Sequence, residues 1–311
     1  MNNKIIVIVG PTAVGKTHVS VELAKKLNTE IISADSMQIY KGMDIGTAKV
    51  SNKETQGIIH HMIDLINPDE NFSVSDFKND AENIINNMLL NNNIPVIVGG
   101  SGLYINSLIY DLDFGNAKSN SQLRDYYTYY YEEHGEDTLY EKLKKIDPES
   151  AEKIHKKNVK RVIRALEVHD ITGKKFSELN TDIRKQSNKY ECILIGLSLD
   201  RKILYDRINQ RVDKMIEDGL IDEVKTLIDK GYDKNLVSMQ AIGYKEIIEY
   251  LEGNTTLEDA VNILKRNTRR FAKRQYTWFF KDNNVKWFQV EDVNEIDLTL
   301  EKIYEYLKTK I

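Results

Sequence analysis

The sequence predicts an α/β protein, with a parallel sheet at its core and a helical insertion between the two halves of that core. Three observations carry the prediction. Residues 5–9, IIVIV, form an unbroken β-branched run that stops at Gly10, the composition of a parallel strand buried on both faces. The glycine-spaced octet GPTAVGKT, residues 10–17, follows at once and leads into a helical pattern. Two later apolar runs, at 94–98 and 192–199, have the same strand character and are separated by a stretch with helical periodicity only.

Each element has its own signal. After the octet, Val19, Leu23 and Leu27 share one helical face. EIISAD, residues 30–35, reads as a second strand with Asp35 at its C-terminal end. Residues 73–93 read as a helix, with Ser73 or Ser75 as its N-cap and an asparagine run as its stop. IPVIVGGSG brings a further strand and a turn rich in glycine, and LYINSLIYDL returns to helix. From Ser119 to Thr181 only helical patterns occur, broken at IDPES and ITGKK. The strand CILIGLSL restores the core near Glu191, long helices follow, and VKWFQV near the end predicts an edge strand before a last short helix. The expected organisation is a first core segment at 1–115, a helical insertion at 116–190, and a second core segment at 191–311 that carries a basic helix.

Composition bounds the function. The chain has 311 residues, 41% hydrophobic and 30% charged, enough for a full core and a smaller second domain. Its one cysteine, Cys192, excludes a disulfide framework and a cysteine-based zinc site. The N-terminal apolar run is too short to span a bilayer and no cleavage site follows it, so a cytoplasmic protein without a membrane partner is expected. The net charge of -4 does not itself call for a nucleic-acid partner. Two local islands do, IHKKNVKRVIR and LKRNTRRFAKRQ, unless their cations merely solvate helix faces.

Gly10, Gly15, Lys16 and Thr17 satisfy GxxxxGK[ST]. In that arrangement the loop through Pro11, Thr12, Ala13 and Val14 wraps an anion at a helix N-terminus, Lys16 adds charge, and the Thr17 hydroxyl faces Mg²⁺. The motif calls for a diphosphate-like ligand but does not call for hydrolysis. A nucleotide-hydrolysing site usually carries an acid at a neighbouring strand end, and PVIVGG ends in glycine. The available strand-end acid is Asp35, which reads equally as a turn former or as the group that faces an acceptor. Arg207 and Arg211, four apart, read either as a lid over phosphates or as ion-pair partners of Asp206 and Asp213. In the helix near 262–280, Lys265, Arg269 and Lys273 form one stripe, Arg266, Arg270 and Arg274 the next, and Leu264, Phe271 and Trp278 the packing side. The tyrosines within 126–131 suit helix packing better than base stacking. His60, His61 and Asp64 lack a convincing metal spacing.

GPTAVGKT, SADSMQIYKGMDIGTAK, HHMIDLINPDENFSVSDF, VGGSGLY, IHKKNVKRVIRALEV, GLIDEVKTLIDKG, MQAIGYKE and TRRFAKRQYTWF occur in this order over nearly the whole chain. Together they resemble the bacterial tRNA dimethylallyltransferases, also called tRNA isopentenyltransferases. The resemblance implies a P-loop NTPase-like core and transfer of a dimethylallyl group from dimethylallyl diphosphate to N6 of adenine 37, beside the tRNA anticodon. It implies that the phosphate loop, residues 10–17, holds the prenyl diphosphate with Mg²⁺, and that Asp35 is the general base. Ser36, Met37 and Gln38 would complete a segment that meets the tRNA. Ser101 stands where the family often has threonine, with the hydroxyl retained and a role beside the reacting groups. Leu123 and the stretch Val159, Lys160, Arg161, Val162 and Ile163 would contact tRNA, as would Arg270 and Arg274. KKNVKR replaces the commoner PNDxxR there, with Arg161 retained. The absence of cysteine pairs is similar to the shorter bacterial form. A monomer that binds the anticodon stem-loop is expected. The rival readings are an ATP-using small-molecule P-loop kinase and a non-enzymatic RNA-binding switch.

Overall fold

A computed structural model describes residues 3–110, 112, 120–179, 187, 189–291 and 296–311. Six parallel strands form one sheet: β1 (Lys4–Val9), β2 (Ile31–Ala34), β3 (His60–His61), β4 (Val96–Gly99), β5 (Glu191–Leu199) and β6 (Lys286–Val290), in the order β3-β2-β4-β1-β5-β6. The first strand in sequence lies inside the sheet, in register with Val96–Gly99 on one side and Glu191–Gly196 on the other. Its residues Ile5 to Ile8 are fully buried, which is why an uninterrupted β-branched run was required: neither face of the strand meets water. β6 is the predicted edge strand and pairs with β5 alone.

The helices of the first half are α1 (Lys16–Leu27), α2 (Asn52–Thr55), α3 (Val74–Leu90) and α4 (Gly102–Ile109). Ser73 caps α3: its hydroxyl accepts from Asp76 N–H, and the Asp76 carboxylate accepts from Ser73 N–H. This reciprocal box decides between the two serines that the sequence offered. The asparagine run ends the helix, with Asn92 at a positive φ of 59, a conformation asparagine tolerates better than most residues.

The insertion contains α5 (Ser121–Ile146), α6 (Pro148–Lys153), α7 (Val159–Thr172) and α8 (Phe176–Leu179). α5 breaks at Gly135, where φ is 78. Asp147 caps α6 through Ser150 N–H and also accepts from the amide and hydroxyl of Ser177. The core of this part gathers Tyr127, Leu139, Leu143, Val162, Ile163 and Leu166. Tyr127 is buried and donates to Asp170 at 2.7 Å, Tyr130 and Tyr131 pack beside it, and Tyr126 and Tyr129 remain exposed. The tyrosine cluster is thus mainly packing material.

The last segment supplies α9 (Arg201–Glu217), α10 (Leu220–Asp229), α11 (Tyr244–Leu251), α12 (Leu257–Phe279) and α13 (Ile296–Lys308). The chain divides into two compact units, 1–109 with 188–311, and 110–187. The second therefore begins six residues before the position expected from the change in sequence pattern and ends three residues before it. Among the described residues no helix is long and apolar enough to cross a membrane.

Candidate active site

The site lies at the C-terminal ends of β1, β2 and β4, where an open parallel sheet leaves its crevice. β1 delivers the chain to Gly10 and α1 takes it up at Lys16. Gly15 is the N-cap of α1 at φ 104, and a Cβ there would collide with Ile296 Cδ1. Both the left-handed backbone and the close approach exclude a side chain. The first turn of α1 carries no acid, so nothing in the helix itself offsets the positive field of the loop amides and the helix terminus.

Cations converge on this loop from two elements. Lys16 Nζ donates to the carbonyls of Gly10 at 2.9 Å and Pro11 at 2.8 Å. Burial pulls its pKa down to about 7, with Asp35 opposing the shift and Arg211 adding to it. Arg207 Nε donates to Ala13 O at 2.8 Å and Arg211 Nη1 to Thr12 Oγ1 at 3.3 Å, both from one face of α9. Of the two readings that the sequence allowed for this pair, the one over the phosphate loop fits the geometry. Their bonds go to the loop itself rather than to Asp206 or Asp213, and Asp213 pairs with Lys265 instead at 2.6 Å. Burial also lowers the pKa of each guanidinium. Enclosed cations whose bonds end on neutral carbonyls and a hydroxyl form a site for an anionic ligand.

Asp35 follows β2 directly. Its Oδ1 accepts the Met37 amide at 2.9 Å, so it shapes the turn and also presents a carboxyl to the cavity. Burial pushes that carboxyl above the usual range, while the Met37 amide and Lys16 pull it back. Ser101 stands beside it after β4. Its Oγ accepts the Ser36 amide at 3.0 Å and its hydroxyl donates to Ser36 Oγ at 3.2 Å. Gln38 is fixed by Ser33 and by the carbonyls of Thr47 and Ala48, and Met37 packs against the core that contains Ile39, Tyr40 and Met43. A cavity of about 560 Å³ joins Thr12, Lys16, Thr17, Asp35 and Ser101 to an apolar side formed by Val212, Met215, Ile242 and Leu264.

The other predicted residues are distributed as follows. Arg274 lines the cavity, whereas Arg270 is exposed outside its lining. The stripe read as Lys265, Arg269 and Lys273 is not a uniform open face. Lys265 pairs with Asp213 and Arg269 donates to Asn209 at 2.5 Å, because α12 packs along α9. Leu123, in the first turn of α5, donates its amide to the Asn120 cap, and Val159 opens α7. Val162 and Ile163 are buried in the insertion core, which leaves Lys160 and Arg161 as the exposed side chains of that stretch. His60 and His61 form the short β3, where His61 meets Glu30 at 2.6 Å. Among the described residues no group of three acidic, histidine or cysteine side chains is placed to hold a metal.

Gln275 was not anticipated. It is buried in α12, accepts the Thr12 amide at 2.8 Å and donates to Gly100 O at 3.1 Å. The sequence signal is a polar residue on the helix face otherwise formed by Leu264, Ala272 and Phe279, set beside the stronger charge pattern of RFAKRQ.

The family model described as IPP transferase matches residues 38–282. The tRNA dimethylallyltransferase of Alkaliphilus oremlandii is 52% identical over 308 residues, 99% of this chain and 98% of that protein. The one from Clostridioides difficile is 49% identical over 307 residues, with 99% and 98% covered. Among solved structures, the tRNA isopentenylpyrophosphate transferase from Bacillus halodurans shares 47% identity at a TM-score of 0.75, covering 99% of this chain and 97% of its own. A eukaryotic dimethylallyltransferase acting on tRNA shares 30% at a TM-score of 0.83, covering 97% and 78%. With a P-loop NTPase-like core, a phosphate loop ringed by cations and bacterial relatives matched over 97–98% of their own length, this chain belongs to the IPP transferase family.

Proposed function

We propose that this protein transfers the dimethylallyl group of dimethylallyl diphosphate to N6 of adenine 37 in tRNA. The observation that carries the reading is the position of Asp35: a carboxyl opens on the same cavity as the cation-ringed phosphate loop, whereas β4 ends in Gly99 with no acid. The loop amides, Lys16, Arg207 and Arg211 hold the diphosphate and stabilise its charge as the C–O bond to the prenyl carbon breaks. N6 forms the new bond to that carbon, and its proton passes to the Asp35 carboxylate. The raised affinity of Asp35 for a proton suits this step. Ser101, tied to Ser36, keeps the turn that carries Asp35 in place. The apolar side at Val212, Met215 and Leu264 receives the five-carbon group and excludes water.

The oxygen donors on the cavity wall fit a hard divalent cation. Thr17, on the cavity wall, would hold Mg²⁺. That ion would supply charge neutralisation at the leaving group. The adenine reaches the cavity only when unstacked from the anticodon loop. RNA phosphates would meet Arg270 and Arg274 on α12, and Lys160 and Arg161 on α7, with Leu123, Ser36, Met37 and Gln38 in the same contact set. The reading has the enzyme act as a monomer, in the cytoplasm, on its tRNA. The test is direct. The protein, Mg²⁺, dimethylallyl diphosphate and an anticodon stem-loop should yield RNA heavier by one five-carbon unit. Guanine in place of the target adenine should abolish the gain. An unchanged adenine-containing RNA would overturn the proposal.

A further inference from the structure

Two segments must keep a fixed spacing for a group to pass from a diphosphate to an acceptor: the phosphate loop and the turn that carries the acid. Backbone pairing of β1 with β4 and of β4 with β2 sets their approximate distance, but both segments lie beyond the strand ends. Gln275 bridges that region from a third element. Its Oε1 accepts the Thr12 amide at 2.8 Å, and its Nε2 donates to Gly100 O at 3.1 Å. The residue after Gly100 is Ser101, whose amide donates to Ala34 O at 3.2 Å and whose hydroxyl meets the amide and hydroxyl of Ser36. The path from Thr12 through Gln275, Gly100 and Ser101 to the residues on either side of Asp35 is continuous. It is also tight, since a Cβ on Gly100 would collide with Gln275 Nε2.

We infer that Gln275 is a positioning residue for group transfer, a strut that fixes the phosphate loop against the Ser101 turn and so aligns the prenyl carbon with the acceptor nitrogen. The amide is the right group for the task. One end meets an N–H and the other a carbonyl, so it must present an acceptor and a donor at once, which glutamine does and neither leucine nor ionised glutamate can. Because Gln275 is buried at 5% exposure, water does not replace the lost bonds. Small misplacements of reacting groups carry large rate penalties, so the effect belongs in turnover rather than in RNA affinity.

The inference rests on the prenyl-transfer reading, and the experiment separates the two. Wild type, Gln275→Leu and Gln275→Glu are compared for kcat, for the KM of dimethylallyl diphosphate and the stem-loop, and by thermal melting. Gln275→Leu should lower kcat tenfold or more with the stem-loop KM within threefold. Gln275→Glu should also be impaired at neutral pH. Its rate relative to wild type should recover as the pH falls, because a protonated glutamic acid again presents both an acceptor to Thr12 and a donor to Gly100. Gln275→Leu should show no such recovery. A residue that merely fills space would give flat ratios with pH. Turnover within twofold of wild type at neutral pH in either cooperatively melting variant, or a ratio for Gln275→Glu that stays flat with pH, would overturn the strut. Should Gln275→Leu fail to fold, the pH ratio of Gln275→Glu decides alone. No transfer by the wild type would count against the reaction itself and remove this inference with it.

Discussion

At Lys16 an ammonium group meets the carbonyls of Gly10 and Pro11 in the place where a diphosphate is expected to sit. Its pKa of about 7, against an ordinary 10.5, has a stability consequence with a definite sign. Between those values the unfolded chain binds a proton that the folded protein does not, so stability rises with pH across that window and is lost again as the pH falls toward 7. The melting temperature of the ligand-free protein should therefore gain more from pH 7 to pH 9 than that of Lys16→Met, measured side by side. Equal gains would refute the assignment of that shift to Lys16. Asp35 behaves in the opposite sense, since burial raises its carboxyl. Its readout is catalytic. Asp35→Asn keeps an oxygen for the Met37 amide but cannot take the N6 proton, so turnover should fall by about two to four orders of magnitude. Stem-loop affinity should change little in a filter-binding assay.

At the scale of elements, the loop after β2 is held by a contact that no short motif announced. Glu223, in the first turn of α10, accepts the amides of Asp44 at 2.9 Å, Ile45 at 2.8 Å and Gly46 at 3.0 Å, and the Tyr244 hydroxyl at 2.6 Å. Its carboxylate occupies a concave run of backbone N–H groups. The same loop continues into Thr47 and Ala48, whose carbonyls fix Gln38 at the cavity. Glu223→Ala should cost about 3 kcal/mol, since charged acceptors contribute roughly 1.5–3 kcal/mol each and the losses overlap. It should also raise the stem-loop KM, because Gln38 loses its support. A melt and a steady-state titration check both effects. Why such a clamp escaped the sequence is physical. GLIDEV reads as the start of an amphipathic helix, and the acid in its first turn already has a local role against the helix dipole. A partner 177 residues away leaves no periodic trace. β1, β4, β5 and the capped α3 were legible for the converse reason, as their burial and caps are local properties of the chain. The two-residue β3 was not, because its pairing with Ile31 and Ile32 comes from the sheet rather than from β-propensity.

For the whole molecule, the tension lies between a net charge of -4 and a polyanionic substrate. Affinity for RNA must then come from local fields, and the sequence located these without resolving them. The α12 island is helical throughout and the other is helical from Val159 on, but α9 engages part of α12 through Asp213 and Asn209, and the apolar residues of the α7 segment are spent on a core. The remaining exposed cations include Arg270, Arg274, Lys160 and Arg161. If these meet phosphates, binding of the stem-loop should weaken linearly on a plot of log Kd against log salt, each contact contributing a slope of about 0.7–0.9. Replacing Arg270 and Arg274 together by alanine should reduce that slope by roughly 1.5, whereas replacing Lys265 and Arg269, already engaged within the protein, should leave it nearly unchanged. The contrast matters more than the loss of affinity, since any damage to the helix weakens binding, but only the removal of a phosphate contact changes how many counterions binding releases. Equal slopes for both double variants would mean that the exposed ridge of α12 does not carry the RNA.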